Sequence, residues 1–544
     1  MMLPPRFHLH GLTALLLLLP SANGSDLLPP TADIPAVIDH YVDAKLQSYG
    51  TAAVAPTSDD ILLRRTTLDL AGRIPTAAER TWYLQQPVEQ RRALLVDRLL
   101  QLPDSAFHQR NELDALLLYN RPHDREFRNY LLWAAREDRR WDQIFRDLLL
   151  AQEAEGPLQG ATQFLKSRIR QVDDVTNDTA VLFFGVNISC AKCHDHPLVA
   201  DWKQDHFYGM QSFFSRTYQT KKNTIAEKLF DEVKFTTTAG ESRVASYLFL
   251  TGSMAEDGTP EYTDEERKAI EEKVRNAERK DDSEIPVPDF SPRRQLVELA
   301  LNDTTDLFFA GNIVNRIWAR LTGTGLVTPL DQMHSENPPS HPELLDWLSR
   351  DLQQHGYDLK RLIRGIVLSD VYARSSEWTS DDEPPSAQLF AVARTRPLTP
   401  YQLAVSLQVA SRNPDQWPAI DTDGDWAKVR EDLENQAGGW VREFEQPGDN
   451  FQVAVDEALF FSNNARIQDD LLRDTGDRIV GCLKTIDNDD QQIETLWQTV
   501  VCRSPTPEER QAALDWLTRS DNRTSAVQQL TWALMSGPEF RFNH

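Results

Sequence analysis

Cysteine is scarce in this chain, and several well-known catalytic motifs are missing. The 544 residues include only 4 cysteines, Cys190, Cys193, Cys482 and Cys502, which excludes a disulfide-rich scaffold. The sequence has no Gly-x-Ser-x-Gly, no phosphate-binding loop and no His-Glu-x-x-His. It therefore gives no support for a serine hydrolase of that type, a P-loop nucleotidase or a zincin protease.

Basic residues are also fewer than acidic ones. Aspartate and glutamate number 83 against 58 lysines and arginines, which gives a formal net charge of −25. Such a surface repels phosphate, so we expect neither nucleic acid nor acidic lipid as a partner. The length allows two to four domains at roughly 100–200 residues each.

Long apolar runs are confined to the N-terminus. Arg6 precedes an apolar run from Leu12 to Leu19, and small residues follow at Ala22 and Gly24. This layout predicts a signal peptide over residues 1–24, and the run is too short for a stable membrane span. No later stretch reaches span length without charges. We therefore expect an exported, periplasmic or extracellular protein that does not span a membrane.

Helical periodicity dominates the mature chain, and the exception is a short β segment. The stretch from Val233 to Gly252 is rich in β-branched and aromatic residues around Ala239-Gly240, which predicts a hairpin. A highly charged helix and a proline-rich linker follow it. The predicted fold is mainly α, a multi-domain helical protein with a small β-hairpin insertion. The predicted parts are an N-terminal helical domain (25–216), the hairpin, charged helix and linker (217–290), and a C-terminal helical domain (291–544).

Capping boxes mark several helix starts. In each, a hydroxyl residue is followed three positions later by Glu or Gln, so that the two side chains satisfy free backbone donors. The predicted boxes are Thr76–Glu79, Ser340–Glu343, Thr399–Gln402 and Thr506–Glu509.

The segment Cys190-Ala191-Lys192-Cys193-His194 carries the most specific chemistry. Two thiols three residues apart can each add to one vinyl group of a porphyrin, and the adjacent imidazole can ligate the iron. The pattern therefore predicts covalent haem c, attached after export.

Other interpretations of the same cysteines stay open. Zinc can use Cys190 and Cys193 with two of three nearby histidines, His194, His196 and His206. The two cysteines can instead form a disulfide or redox pair, or simply pack as reduced thiols.

A haem also needs a sixth ligand or an open face. The nearby candidates are Met210, His206 and His196, although Met210 also belongs to an apolar stripe with Phe207, Phe213 and Phe214 that is typical of a core helix. Asp195 and Asp205 can orient an imidazole. His196, His206 and Asp205 are also the candidate residues of a metal-dependent hydrolase.

A second histidine-rich stretch lies in the C-terminal half. His334 and His341, with Glu336 between them, are candidates for a second metal site. His341 stands at a predicted helix start, where a capping role is the alternative.

Several stretches resemble one protein family. "ILLRRTTLDLAGRIPTAAE" and the segment around "CAKCHDHPLVADWKQDHFYGM" resemble the planctomycete secreted proteins with a cytochrome-c-like second domain. "GNIVNRIWARLTGTGLVTPLDQMHSENPPSHPELLDWL" and "RPLTPYQLA" resemble its usual partner, the planctomycete secreted first domain. Both are domains of unknown function (fifteen-forty-nine and fifteen-fifty-three). The resemblance implies export, and haem attachment is expected for the family from the same motif. The segment from His108 to Asn120 departs from the family's Trp-rich, Arg-Tyr pattern.

These observations favour an exported c-type haem protein that acts as an electron-transfer or redox module with a redox partner protein. The alternative is a metal- or disulfide-stabilised binding or scaffold protein in a cell-surface assembly or in polysaccharide handling, without haem. A metal-dependent hydrolase is the third hypothesis.

Overall fold

The computed structural model describes residues 27–118, 121–122, 124–150, 156–197, 199–281, 283–420, 423–447 and 465–544. The predicted signal peptide at residues 1–24 lies outside this part of the chain. Within it the architecture is mainly α with small two-stranded antiparallel sheets, which confirms the predicted fold class.

Helices account for most of the first part of the chain. In order, they are α1 (Ile34–Ser48), α2 (Asp59–Ala71), α3 (Ala77–Gln85), α4 (Arg91–Gln101), α5 (Pro103–Leu117), α6 (Arg125–Arg136), α7 (Trp141–Leu150), α8 (Gln163–Lys166), α9 (Val172–Phe184) and α10 (Gln204–Ser215). Short 3-10 helices lie at Gly156–Thr162 and Ser189–Lys192.

The second part of the chain is also helical. It contains α11 (Asp264–Arg279), α12 (Pro292–Leu301), α13 (Phe308–Thr322), α14 (Pro342–Gln354), α15 (Leu359–Leu368), α16 (Asp370–Ala373), α17 (Pro400–Ser411) and α18 (Asp423–Ala437). Further α-helices are Ile479–Leu483, Asp489–Val500, Pro507–Arg519, Arg523–Ser536 and Pro538–Arg541. Shorter turns of 3-10 or π helix lie at Ala387–Leu389, Pro414–Gln416, Val441–Glu443 and Ile467–Leu471.

The strands form four separate pairs. They are β1 (Thr217–Gln219) with β2 (Ile225–Glu227), β3 (Lys234–Thr236) with β4 (Ser242–Val244), β5 (Tyr247–Leu248) with β6 (Met254–Ala255), and β7 (Arg396–Pro397) with β8 (Phe542–Asn543). The predicted hairpin is confirmed as β3–β4, with Phe235 opposite Arg243. Its expected C-terminal end belongs to a second hairpin, β5–β6. The charged segment after it forms helix α11, as predicted.

Three of the four predicted capping boxes are confirmed, those headed by Thr76, Thr399 and Thr506. The prediction for Ser340 and Glu343 was wrong. Pro342 takes the first helical position of α14, where its missing N–H costs nothing, so His341 becomes the N-cap residue and Ser340 lies outside the helix. The His341 side chain makes no capping bond there.

The main core joins residues from both sides of the β segment. The ring of Phe145 lies 4.7 Å from the ring of Phe183 and 4.7 Å from the ring of Phe309. Trp141 stacks on Phe309 at 6.1 Å. Buried side chains from α1 to α10 and from α12 to α16 thus form a single cluster, and the predicted N- and C-terminal parts share it.

A second core lies around α17 and the last helices. It takes in Leu68 and Ile74 from the region of α2, which sits between the two clusters. The polar face of α2 is held by the end of the chain: Arg64 donates to the Glu539 and Phe540 carbonyls at 2.9 and 2.8 Å. In the described part of the chain, no helix is both long and apolar enough to cross a membrane.

Candidate functional site

A glycine at the end of α9 sets the direction in which the backbone continues towards the cysteines. Gly185 has a φ of +69°, a left-handed conformation that favours glycine. A Cβ at this position would lie 2.6 Å from the Met333 sulfur and 2.9 Å from the Asn312 Oδ1. The chain therefore turns sharply here, and Val186 pairs with Gln332 in a short antiparallel bridge.

The motif itself forms a 3-10 turn, Ser189–Lys192. The Ala191 N–H donates to the Ile188 carbonyl at 2.9 Å, and the Cys193 N–H donates to the Cys190 carbonyl at 3.4 Å. Ala191 is fully buried, whereas Cys190 and Cys193 are exposed. One buried methyl group thus anchors the turn while both thiols face solvent. Both are free, so the disulfide interpretation is not realised in this structure.

His194 follows the second cysteine and is exposed as well. Its Nδ1 lies 2.7 Å from the carbonyl oxygen of Asp195. Since a carbonyl only accepts, Nδ1 carries the proton and donates. The lone pair of the neutral ring is then at Nε2, which is the nitrogen that a metal or haem iron takes when Nδ1–H is held by a carbonyl.

His196 and His206 have the opposite arrangement. The Nδ1 of His196 accepts from the Val199 N–H at 3.1 Å, and the Nδ1 of His206 accepts from the Lys203 N–H at 3.2 Å. Each ring therefore carries its proton on Nε2 when neutral. Burial lowers the pKa of His206, and Lys203 adds to this effect.

The predicted metal ligands do not converge. Across the part of the chain that the structure describes, no three His, Cys, Asp or Glu side chains are arranged to hold a metal ion. His194, His196 and His206 each bond to a different backbone group of their own turn. The zinc alternative and the hydrolase hypothesis stay predictions that this arrangement does not support.

Met210 lies on the interior side of α10. It is fully buried within the main core, as are Phe213 and Phe214 on the same helix. The structure thus places the methionine in the apolar stripe that its helical spacing indicates. The role of Met210 as a sixth ligand stays a prediction. This arrangement does not support it, since the thiols lie on the surface and the methionine lies in the core.

Helix α10 supports the motif turn from the other side. The Lys192 carbonyl accepts from the Tyr208 hydroxyl at 3.1 Å and from the Gln204 amide at 3.4 Å. The Lys192 ammonium pairs with Asp173, which raises the pKa of the lysine. The carbonyl and side chain of Lys192 are therefore both fixed, one by α10 and the other by α9.

The β3–β4 hairpin completes the support, and sequence reasoning did not connect it to the motif. The ring of Tyr208 stacks on Phe235 of β3 at 4.2 Å, with 14° between the ring planes. The Gln204 side-chain oxygen accepts from the Thr238 N–H in the hairpin turn at 3.1 Å. The only signal in the sequence was an aromatic residue at the centre of a short β-rich stretch.

The candidate second metal site does not form. The Nε2 of His334 lies 3.3 Å from the Gln332 Oε1, while the Nδ1 of His341 lies 3.1 Å from the Ser340 hydroxyl. His341 is buried and packs against Phe390 at 5.4 Å between ring centroids. Its role is structural, in the core beneath α14.

The two remaining cysteines are buried and free. The Cys482 sulfur lies 4.0 Å from the Asp415 carboxylate, and the Cys502 sulfur lies 3.8 Å from the Pro75 carbonyl. Each is therefore a small buried side chain with its own local partner. The two cysteines therefore pack as buried thiols and form no disulfide with each other.

Comparison with known proteins gives two family matches in the expected order. Residues 37–219 match PSCyt2, protein of unknown function (DUF1549), and residues 292–434 match PSD1, protein of unknown function (DUF1553). No curated protein matches the chain, and no solved structure matches it. The motif turn lies within the first matched region, and the loop that carries His334 lies within the second.

Proposed function

The chain joins a PSCyt2 domain to a PSD1 domain, and from that premise we propose that its Cys-x-x-Cys-His turn attaches haem c outside the cytoplasm. Because both families are of unknown function, the proposal depends on the chemistry of the turn. The residues that would hold the group are Cys190 and Cys193, through thioether bonds, and His194, on the iron.

One observation carries the proposal. Among the three histidines near the cysteines, only His194 has its Nδ1 proton held by a carbonyl, at 2.7 Å from Asp195. That bond leaves Nε2 free to act as a ligand and fixes the plane of the ring. His196 and His206 use their Nδ1 lone pairs for backbone N–H groups and present a protonated Nε2.

The state of the thiols supports the same proposal. Attachment requires two reduced and accessible sulfurs, and both cysteines are free and exposed. The backbone between them is held by the buried Ala191 and by the bonds of Tyr208 and Gln204 to the Lys192 carbonyl. The backbone that carries the two sulfurs is thus held by the fold before any group is attached.

The role that follows is electron transfer or a redox step outside the cytoplasm. A bound haem supplies one-electron chemistry with a potential tuned by its axial ligands and by the surrounding residues. The chain contributes a rigid surface turn at which a redox partner protein can approach. The predicted export fits this role, because c-type attachment takes place outside the bacterial cytoplasm.

The experiment is export of the full chain in a host with haem-attachment machinery, followed by a pyridine haemochrome spectrum. We expect a red protein whose colour survives acid–acetone extraction and one haem per chain. Cys190→Ser with Cys193→Ser should give a folded, colourless protein.

Matched histidine variants separate the roles of the three rings. His194→Gln should alter the absorption spectrum of the haem protein, because it removes the proposed iron ligand. His196→Gln and His206→Gln should retain the spectrum of the parent. Equal effects of all three substitutions would contradict the assignment of His194, and a colourless parent protein would overturn the proposed function itself.

A further inference from the structure

A small cleft lies between α2 of the PSCyt2 domain and several segments of the PSD1 domain. Its volume is about 20 Å³. Arg65 comes from the first domain, and the second contributes Thr322, Tyr372, Arg394 and Arg396 among the lining residues. A space of this size holds a single water molecule or a monatomic ion, since one water needs roughly 10–15 Å³ by the same measure.

Arg65 is the buried group of this cleft. It is 3% exposed, and its Nη1 donates to the carbonyls of Tyr372 and Arg374 at 2.5 and 2.9 Å. Its Nε donates to a backbone oxygen of His544 at 3.1 Å. The remaining nitrogen, Nη2, is buried and has no acceptor. A buried donor without a partner costs about 1–3 kcal/mol, so this position favours an acceptor in the cleft.

The charge around the cleft is positive. Arg394 is exposed and forms no ion pair within the described part of the chain, while Arg396 is paired with Asp69 at 2.8 Å. The lining residues include three arginines and no acidic side chain. Burial lowers the pKa of Arg65, and the neighbouring Arg396 adds to this effect. Tyr372 and Asp69 oppose this lowering of the pKa. An electrically neutral acceptor would satisfy Nη2 but would leave this excess of charge in place.

We propose that the cleft binds one small monovalent anion of the chloride class, which accepts a hydrogen bond from Arg65 Nη2. The anion lies between the two domains, because Arg65 belongs to the first and Arg394 and Arg396 to the second. It therefore links them through charge, in addition to the shared apolar core. A water molecule in the same place is the competing occupant.

The test is thermal unfolding of the full chain in sodium chloride and in sodium gluconate at equal ionic strength. Gluconate is too large for the cleft. We expect the melting temperature to be about 1–3 °C higher in chloride, because a ligand that binds only the folded state stabilises it. Equal melting temperatures in the two salts would overturn the proposal.

Two arginine variants make the test specific. Arg394→Gln should lose most of the chloride-dependent rise, whereas Arg294→Gln should retain it, because Arg294 is exposed but does not line the cleft. Arg394 is at the surface, so this variant is expected to fold, unlike a substitution of Arg65. Crystals grown in bromide should show an anomalous peak next to Arg65 Nη2. A water molecule there in place of bromide, or the same response in both variants, would contradict the proposal.

Discussion

At the scale of single residues, the three histidines near the cysteines differ in which nitrogen is free. The sequence assigns His194 to the haem iron and all three histidines to the alternative zinc site, but spacing says nothing about their tautomers. The structure separates them because the partner of each Nδ1 is a backbone group: a carbonyl for His194, and N–H groups for the other two. Such partners depend on how a turn closes, and composition or periodicity does not reveal them.

Thiol reactivity tests the exposure of the motif. In the folded protein without haem, we expect Cys190 and Cys193 to react quickly with an aromatic disulfide reagent, since both are exposed and free. Cys482 and Cys502 should react only after unfolding. Burial raises the pKa of Cys502 to about 12, which further suppresses its thiolate.

The control for this prediction is the Cys190→Ser, Cys193→Ser double variant, which should show no fast thiol. If all four thiols of the folded parent protein react quickly, or if none does, the result would contradict the structure.

The buried His341 predicts a loss of stability in mild acid. Burial lowers its pKa to about 4, Lys45 adds to the lowering, and Glu343 opposes it. The unfolded chain has its ordinary pKa near 6.5, so between these values the unfolded state binds a proton that the folded state does not. The neutral His341 therefore contributes its full stabilisation of the folded state above about pH 6.5. This stabilisation decreases as the pH drops towards 4, and the total loss amounts to about 3 kcal/mol.

Denaturant unfolding at several pH values between about 7 and 4 checks this prediction. His341→Gln should flatten the pH dependence of the free energy of unfolding relative to the parent protein. An unchanged slope in the His341 variant would show that other groups cause the acid sensitivity.

At the scale of helices and strands, local sequence signals predicted a large part of the structure. The boxes at Thr76, Thr399 and Thr506 and the turn at Ala239-Gly240 each depend on residues within a few positions of one another. The predicted Ser340–Glu343 box was wrong for a local reason too, since Pro342 places the start of α14 one residue later. The Thr263–Glu266 box of α11 has the same form and was missed.

Gly185 provides a test at this scale. Gly185→Ala should destabilise the protein by about 2–4 kcal/mol, because the new methyl group meets Met333 and Asn312 and the backbone is left-handed. Gly240→Ala is the matched control: its φ is +84°, but nothing lies within 4 Å of the added carbon. It should cost only about 1–2 kcal/mol. Equal losses in denaturant unfolding would mean that the contacts at Gly185 are not tight.

At the scale of the whole molecule, the two domains are held together by groups far apart in the sequence. Asp69 of α2 pairs with Arg396 and accepts from the Tyr372 hydroxyl at 2.7 Å and from the Asn543 amide at 2.9 Å. Nothing in the sequence indicated these contacts of Asp69, since an acidic residue within a helical pattern is normally at the surface. The shared core at Phe145 and Phe309 was equally hidden, because periodicity shows that a face is buried and not what covers it.

Removing the charge of Asp69 should therefore weaken the whole structure. Asp69→Asn leaves the largely buried Arg396 without its carboxylate, and we expect a loss of about 3–5 kcal/mol in denaturant unfolding. Asp346→Asn, in a half-exposed pair with Arg350 on α14, should cost less than about 1 kcal/mol. If the two variants unfold alike, the buried pair does not hold the domains as described.

Haem attachment is tested most directly by the mass of the peptide that spans Cys190 to His194, cut from protein exported by a host that attaches haem. We expect one haem on this peptide, bound through both cysteine sulfurs. Recovery of the same peptide with two unmodified thiols, or with Cys190 joined to Cys193, would contradict it.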